Sequence, residues 1–174
     1  SLSAGQAIAI PHQDEVRTVG FSPAGRTMIT GCDDGLARLW DTASRELVGG
    51  SLAHGATILA AAISPDGTTA VTAGQDHAAR LWDIQRAEPF GSPMLHDNAV
   101  RGVAFSPAGN LLATASVDMT VRLWDAHTGE PRGHPLQLEQ QTVAVAFSPD
   151  GRSIAAGADY GVQIWDVATG EPLG

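Results

Sequence analysis

Three times in this chain a histidine, a threonine and an aspartate recur in one order and at fixed separations: His12, Thr30 and Asp34; His54, Thr72 and Asp76; His96, Thr114 and Asp118. An imidazole beside a hydroxyl and a carboxylate is the donor set of nucleophilic catalysis. The carboxylate orients the ring, the ring takes the hydroxyl proton, and the oxygen attacks. One such set would nominate an active site. Three sets in register argue for architecture, because a reaction needs one site whereas a repeated fold reuses its internal contacts. The rest of the chain offers no competing chemistry. It contains no CxxC pair, HExxH, GxSxG, Walker-type loop or dinucleotide-binding glycine pattern. His77, His127 and His134 share no metal-ligand spacing and read as turn or outer-strand residues. Asp66 and Asp150, each in a Ser-Pro-Asp-Gly segment, read as turn carboxylates and not as calcium ligands. No metal or organic cofactor is expected.

The elements that position these residues are set by a repeat. Trp40, Trp82, Trp124 and Trp165 fall at intervals of 42, 42 and 41 residues, and Asp41, Asp83, Asp125 and Asp166 follow them directly. A Ser-Pro pair stands 18 residues ahead of each of the first three tryptophans, and Ser148-Pro149 stands 17 ahead of the fourth. The histidines precede the first three serines by ten residues; Leu138 holds that place in the fourth unit. Counting back six from each tryptophan reaches Asp34, Asp76, Asp118 and Asp159, and four further back stand Thr30, Thr72, Thr114 and Ala155. Within a unit the pattern is that of short strands. In the third, Val100 to Phe105 alternates with one irregularity, residues 106–109 form a hairpin turn, and strands follow over 111–116, 121–125 and 134–138. No 3.6-residue period intervenes. A four-stranded sheet apolar on both faces cannot bury itself alone, so the units must stack face to face, radially.

Length and composition agree with one globular core: 174 residues, 43% hydrophobic and 17% charged. A net charge of −9 and a pI near 4.9 argue against a nucleic-acid partner. The longest apolar run, Ile58 to Ile63, is far too short to span a bilayer, so no membrane partner is expected. Cys32 is the lone cysteine, which excludes an intrachain disulfide and fits a reducing, cytoplasmic setting.

Taken together, the Trp-Asp pairs, the Ser-Pro-(Asp/Ala)-Gly turns and the upstream histidines resemble the WD-repeat β-propeller family over nearly the whole chain. The resemblance implies an all-β fold, a β-propeller of four-stranded antiparallel blades with four blades per chain. It implies one propeller unit over 1–174, with repeats near 7–48, 49–90, 91–132 and 133–174. It also implies that His, Thr, Asp and Trp form a hydrogen-bonded chain within a blade. The sets His12-Thr30-Asp34-Trp40, His54-Thr72-Asp76-Trp82 and His96-Thr114-Asp118-Trp124 are then complete. The fourth unit keeps Asp159 and Trp165 but has Leu138 and Ala155 in the other two places, so apolar packing should hold that blade.

In this family partners often dock on the rim formed by the loop after the histidine and the loop before the tetrad aspartate. Carried over by position, the rim comprises Arg17, Leu59, Arg101 and Val143, with Asp33, Gln75, Val117 and Ala158 opposite and Glu15, Thr57, Ala99 and Gln141 beside them. Arg17 and Arg101 are the anchors that side-chain type favours, although Glu15 and Asp33 are expected to neutralise Arg17. The implied function is a non-catalytic scaffold that binds a protein or peptide there. Two other readings stand beside it: a structural half-ring or fragment of a longer propeller, and a lectin or hydrolase, which the uniformly short turns disfavour.

The last repeat has no outermost strand in sequence, whereas residues 7–11, "AIAIP", precede His12 as an outer strand precedes His54 and His96. These residues are expected to complete a closing blade. Thin strands such as Ala60-Ala61-Ala62 give little bulk for the wide wedges of a four-blade ring, so self-association into an eight-bladed homodimer is expected.

Overall fold

A computed structural model describes residues 9–158 and 161–173 and shows four antiparallel sheets, the blades of a β-propeller. Blade 1 consists of β1 (Val16–Phe21), β2 (Thr27–Cys32), β3 (Leu36–Asp41) and β4 (Leu52–Ala53). Blade 2 has β5 (Ile58–Ile63), β6 (Thr69–Gly74), β7 (Ala78–Asp83) and β8 (Glu88–Leu95), and blade 3 has β9 (Val100–Phe105), β10 (Leu111–Ser116), β11 (Thr120–Asp125) and β12 (Pro131–Gln137). Blade 4 has three strands, β13 (Thr142–Phe147), β14 (Ser153–Ala158) and β15 (Gly161–Asp166), and a single bridge from Trp165 to Pro172 begins a fourth. Among the described residues there is no helix, and so none long and apolar enough to cross a membrane.

The turn chemistry explains why the strands stop where they do. In each Ser-Pro-x-Gly turn proline presets φ and glycine takes the left-handed region, at φ 76° for Gly67 and Gly109. The Gly67 N–H donates to the Ser64 carbonyl at 2.9 Å, and the Ser64 hydroxyl oxygen accepts the Thr69 N–H at 3.0 Å. The aspartate after each tryptophan closes the next turn: Asp125 Oδ1 accepts the N–H groups of His127 and Thr128 at 2.9 and 3.1 Å. Asp41 and Asp166 do the same for the two residues that begin two positions after them.

Packing between blades is directional. The forward face of blade 1, with Ile29, Leu39 and Leu52, meets the rear face of blade 2, with Ile58, Ile63 and Trp82. Val71, Leu81 and Met94 meet Val100, Leu112 and Trp124 in the same way, and Ala113, Leu123 and Leu136 meet Ile154 and Trp165. Most of these side chains are wholly buried, worth roughly 1.5–3 kcal/mol each for the large aliphatic ones. The innermost strands pack in succession, β1 on β5, β5 on β9 and β9 on β13, but β13 does not return to β1 in a comparable way. The four blades therefore describe an open arc. Val19 and Phe21 on the rear face of blade 1 are 59% and 61% exposed, and Val162 on the forward face of blade 4 is 69% exposed.

Two sequence expectations change in detail. The residue missing from the fourth repeat lies in the turn between β14 and β15. As a result Ala156, which faces Gln163, takes the place of Thr114, which faces Arg122; Ala155 faces Ile164 instead. Spacing counted back from the tryptophan put the deletion on the wrong side of that position. Residues 7 and 8 lie outside the described residues, and Ala9–Pro11 run as coil unpaired with blade 4 of the same chain.

Candidate functional site

Blade 2 shows the polar chain complete. The Trp82 indole N–H donates to Thr72 Oγ1 at 2.8 Å, His54 Nδ1 lies 2.8 Å from the same hydroxyl, and His54 Nε2 lies 3.0 Å from Asp76 Oδ1. With the indole filling one acceptor site, the hydroxyl has its proton left for the ring, and the other ring nitrogen carries the hydrogen that goes to the carboxylate. Arg80 closes over the pair, its Nη1 2.6 Å from Asp76 Oδ2 and 3.0 Å from His54 Nε2. Gly74 makes room: a Cβ there would stand 2.5 Å from the Thr57 carbonyl oxygen and 2.9 Å from His54 Nε2.

Blade 3 repeats the chain with the ring turned over. Trp124 donates to Thr114 at 2.8 Å, His96 Nε2 is 2.7 Å from Thr114 Oγ1, and His96 Nδ1 is 2.9 Å from Asp118 Oδ2. Burial pushes both histidines below their ordinary range, against the pull of the neighbouring aspartates, and so favours the neutral ring that the chain requires. Burial alone would raise Asp118, but hydrogen bonds from the Thr120 hydroxyl, the Asp97 N–H and His96 outweigh it and hold the carboxyl at about 2. Asp76 is likewise lowered, its burial overcome by Arg80 and His54.

The blade 1 set is brought together only in part. Trp40 donates to Thr30 at 2.9 Å and His12 Nε2 lies 2.9 Å from Thr30, but His12 Nδ1 turns to the Ile10 carbonyl at 3.0 Å and not to Asp34. Asp34 holds the Leu36 N–H and Arg38 Nη2 instead, at 2.9 and 2.7 Å. The backbone supplies the reason. The His54 N–H is bonded to the Gly35 carbonyl of blade 1 while its ring sits in blade 2; the His96 N–H is bonded to the His77 carbonyl of blade 2 while its ring sits in blade 3. Each of these histidines ties two blades, whereas among the described residues no such backbone tie holds His12. In blade 4, Leu138 makes the same backbone tie to Met119 and packs against the apolar cluster that contains Trp165. Asp159 lies outside the described residues.

The rim residues prove to be products of a bulge. Pairing slips between Val16 and Thr18, between Ile58 and Ala60, opposite Ala115 and Ser116, and between Thr142 and Ala144. Arg17, Leu59, Arg101 and Val143 are therefore the extra residue of each innermost strand, and a bulge re-aims the side chain it carries. The loop before the tetrad aspartate is fastened beside them: the N–H groups of Asp33, Gln75 and Val117 donate to the carbonyls of Glu15, Thr57 and Ala99. Ala158, expected in the same place, is not there: it ends β14 and pairs with Thr142 as Ser116 pairs with Val100, because the residue missing from the fourth repeat lies after it. Arg17 is held by Asp33 through two bonds, Nε to Oδ1 at 2.8 Å and Nη2 to Oδ2 at 2.5 Å, and by Glu15 at 2.9 Å. That grip raises the Arg17 pKa and lowers that of Asp33. The Arg101 side chain is exposed and makes no hydrogen bond or ion pair among the described residues. Gln75 and Val143 are exposed, and Leu59, Val117 and Ala158 are half-buried.

A family model for the WD domain, G-beta repeat, matches four stretches of the chain, residues 5–41, 47–83, 91–125 and 128–166. The chain belongs to the WD-repeat family. A comparison with curated proteins finds no match. WD-repeat propellers are typically protein-interaction scaffolds. The structure adds one recurring polar partner that spacing had offered unused: Arg38, Arg80 and Arg122, each two residues before its tryptophan and four after its aspartate. The first two lie 2.7 and 2.6 Å from their aspartates and the third 4.0 Å.

Proposed function

We propose that this WD-repeat chain is a non-catalytic scaffold that binds a protein or peptide on the rim built by the four bulges. The observation that carries the reading is Arg101. It is an exposed guanidinium without an ionic partner among the described residues, at the bulge position that the apolar Leu59 and Val143 hold in the neighbouring blades, whereas Arg17 at the equivalent place is neutralised by its own blade. A free arginine among apolar neighbours suits a segment that offers an acidic residue beside an aliphatic one. Non-catalysis is supported by the burial of the threonines: Thr72 and Thr114 are 0% exposed and already engaged by an indole N–H, so no substrate carbonyl can reach them.

The test is selection from a random-peptide display library, with affinities of the selected peptides measured by calorimetry. Acidic peptides should emerge, bind the Arg101→Glu variant at least tenfold more weakly, and bind Arg17→Glu with a smaller loss. Selected peptides indifferent to Arg101→Glu would refute the assignment.

A further inference from the structure

We infer that the partner's acidic group takes at Arg101 the seat that Asp33 takes at Arg17, so that blade 1 shows with its own residues how blade 3 holds a carboxylate from outside. The seat rests on the rim function proposed above and narrows it to one blade and one way of binding.

The two seats have the same backbone. In blade 1 Val16 pairs with Cys32 and Thr18 with Gly31, which leaves Arg17 as the extra residue; in blade 3 Val100 pairs with Ser116 and Gly102 with Ala115, which leaves Arg101. The facing loops are bonded alike. The Asp33 N–H donates to the Glu15 carbonyl and the Val117 N–H to the Ala99 carbonyl, both at 3.0 Å. Residues 15, 17 and 33 therefore correspond to 99, 101 and 117.

The side chains on that common backbone differ. In blade 1 the Arg17 fork is filled, Nε to Asp33 Oδ1 at 2.8 Å and Nη2 to Asp33 Oδ2 at 2.5 Å, with Glu15 Oε2 2.9 Å from Nη2. In blade 3 Val117 and Ala99 replace both acids while the cation is kept. The other carboxylates of those loops are engaged elsewhere. Asp97 Oδ2 lies 3.9 Å from Arg122, and Asp118 accepts from the Thr120 hydroxyl, the Asp97 N–H and His96. Blade 2 has neither charge: Leu59 stands at the bulge, with Thr57 and Gln75 at the flanking places.

A guanidinium presents its N–H groups as a planar fork that matches the two oxygens of a carboxylate. Arg101 can offer from this backbone the fork that Arg17 offers. Two uncharged residues in place of two acids also remove the repulsion that an incoming anion would otherwise meet. The ligand is a carboxylate on a peptide or protein, carried either by an Asp or Glu side chain or by a free C-terminus. Val117 is the residue that decides specificity, because an aspartate in its place would fill the seat from within.

The first arm of the test needs no partner. Sodium acetate, compared with sodium chloride at the same ionic strength, should shift the Arg101 Nε–H signal in NMR and leave that of Arg17 in place. In Val117→Asp the Arg101 signal should move toward that of Arg17 and cease to respond to acetate. In Glu15→Ala/Asp33→Val the Arg17 signal should begin to respond. This second variant carries the test should Val117→Asp fold poorly. An Arg101 signal unmoved by Val117→Asp, or equal responses of the two arginines in the unsubstituted chain, would overturn the seat. In the second arm, acidic peptides selected on the rim should bind Val117→Asp at least tenfold more weakly and Val117→Asn less than threefold more weakly. Binding that survives C-terminal amidation assigns the side-chain carboxylate, and binding lost on amidation assigns the C-terminus. Peptides that need Arg101 yet bind Val117→Asp undiminished would overturn the seat and leave the rim function standing. Failure to select any rim-binding peptide would refute the rim function, and the acetate arm would then decide the seat alone.

Discussion

His54 and His12 occupy the same place in successive repeats and do different things. His54 is 3% exposed, bonded through its backbone to one blade and through both ring nitrogens to the next; His12 is half-buried and spends one ring nitrogen on its own segment. The motif looks like a property of a blade when read along the chain. In space it is a tie between blades, and it is complete only where a backbone bond to the preceding blade holds the histidine. The same comparison separates the sealed interior faces from the two exposed end faces.

The largest expected effect tests that difference directly. His54→Ala takes one hydrogen-bond partner from the buried Thr72 hydroxyl and one from Asp76 and opens a cavity, and should cost about 3 kcal/mol in urea unfolding. His12→Ala should cost less than half as much. Equal losses would mean that the tie to the preceding blade contributes nothing.

A second effect lies at the weak end. Thr142 is 0% exposed and its hydroxyl has no hydrogen-bond partner among the described residues, whereas the equivalent residues are Val16, Ile58 and Val100. Thr142→Val should therefore raise stability by about 1 kcal/mol, read from the urea midpoint. An unchanged or lower midpoint would show that the hydroxyl is satisfied.

Acid should act on the interior joints. The buried His54 and His96 titrate below the ordinary 6.5, so between that value and their own the unfolded chain binds more protons than the folded one, and stability must fall as pH drops below about 6.5. Asp76 and Asp118, lowered from 3.8, add a second loss as pH falls below that value. Melting temperatures measured from pH 8 to 3 should decline in those two stages. In the His54→Ala/His96→Ala double variant the first stage should vanish.

The smallest expected gain comes from rebuilding the chain in blade 4. Leu138→His with Ala156→Thr should raise the melting temperature by a degree or two, and Leu138→His alone should lower it by burying an imidazole without its threonine. A double variant no more stable than the single one would show that blade 4 cannot seat the chain.

Much of this was legible because it is local. Strand length, the Ser-Pro-x-Gly hairpins and the aspartate-closed turns depend on residues within a few positions of one another, and the period repeats them often enough to expose the pattern. The bulge at Arg17, Leu59, Arg101 and Val143 was visible only as an irregular alternation in the third repeat; strand pairing decided that each is the extra residue of its innermost strand. The deletion in the last repeat could be counted from either side, and cross-strand register alone chose Ala156 over Ala155. The sequence by itself determined four blades, their order, their turns and the polar residues that join them. Tertiary structure decided that the arc stays open, that His12 lacks its second partner, that Arg101 is free while Arg17 is not, and that the Thr142 hydroxyl is stranded. The physical reason is that those outcomes depend on what lies on the far side of each sheet, which a repeat specifies identically for every blade and which only the ends of the arc make different.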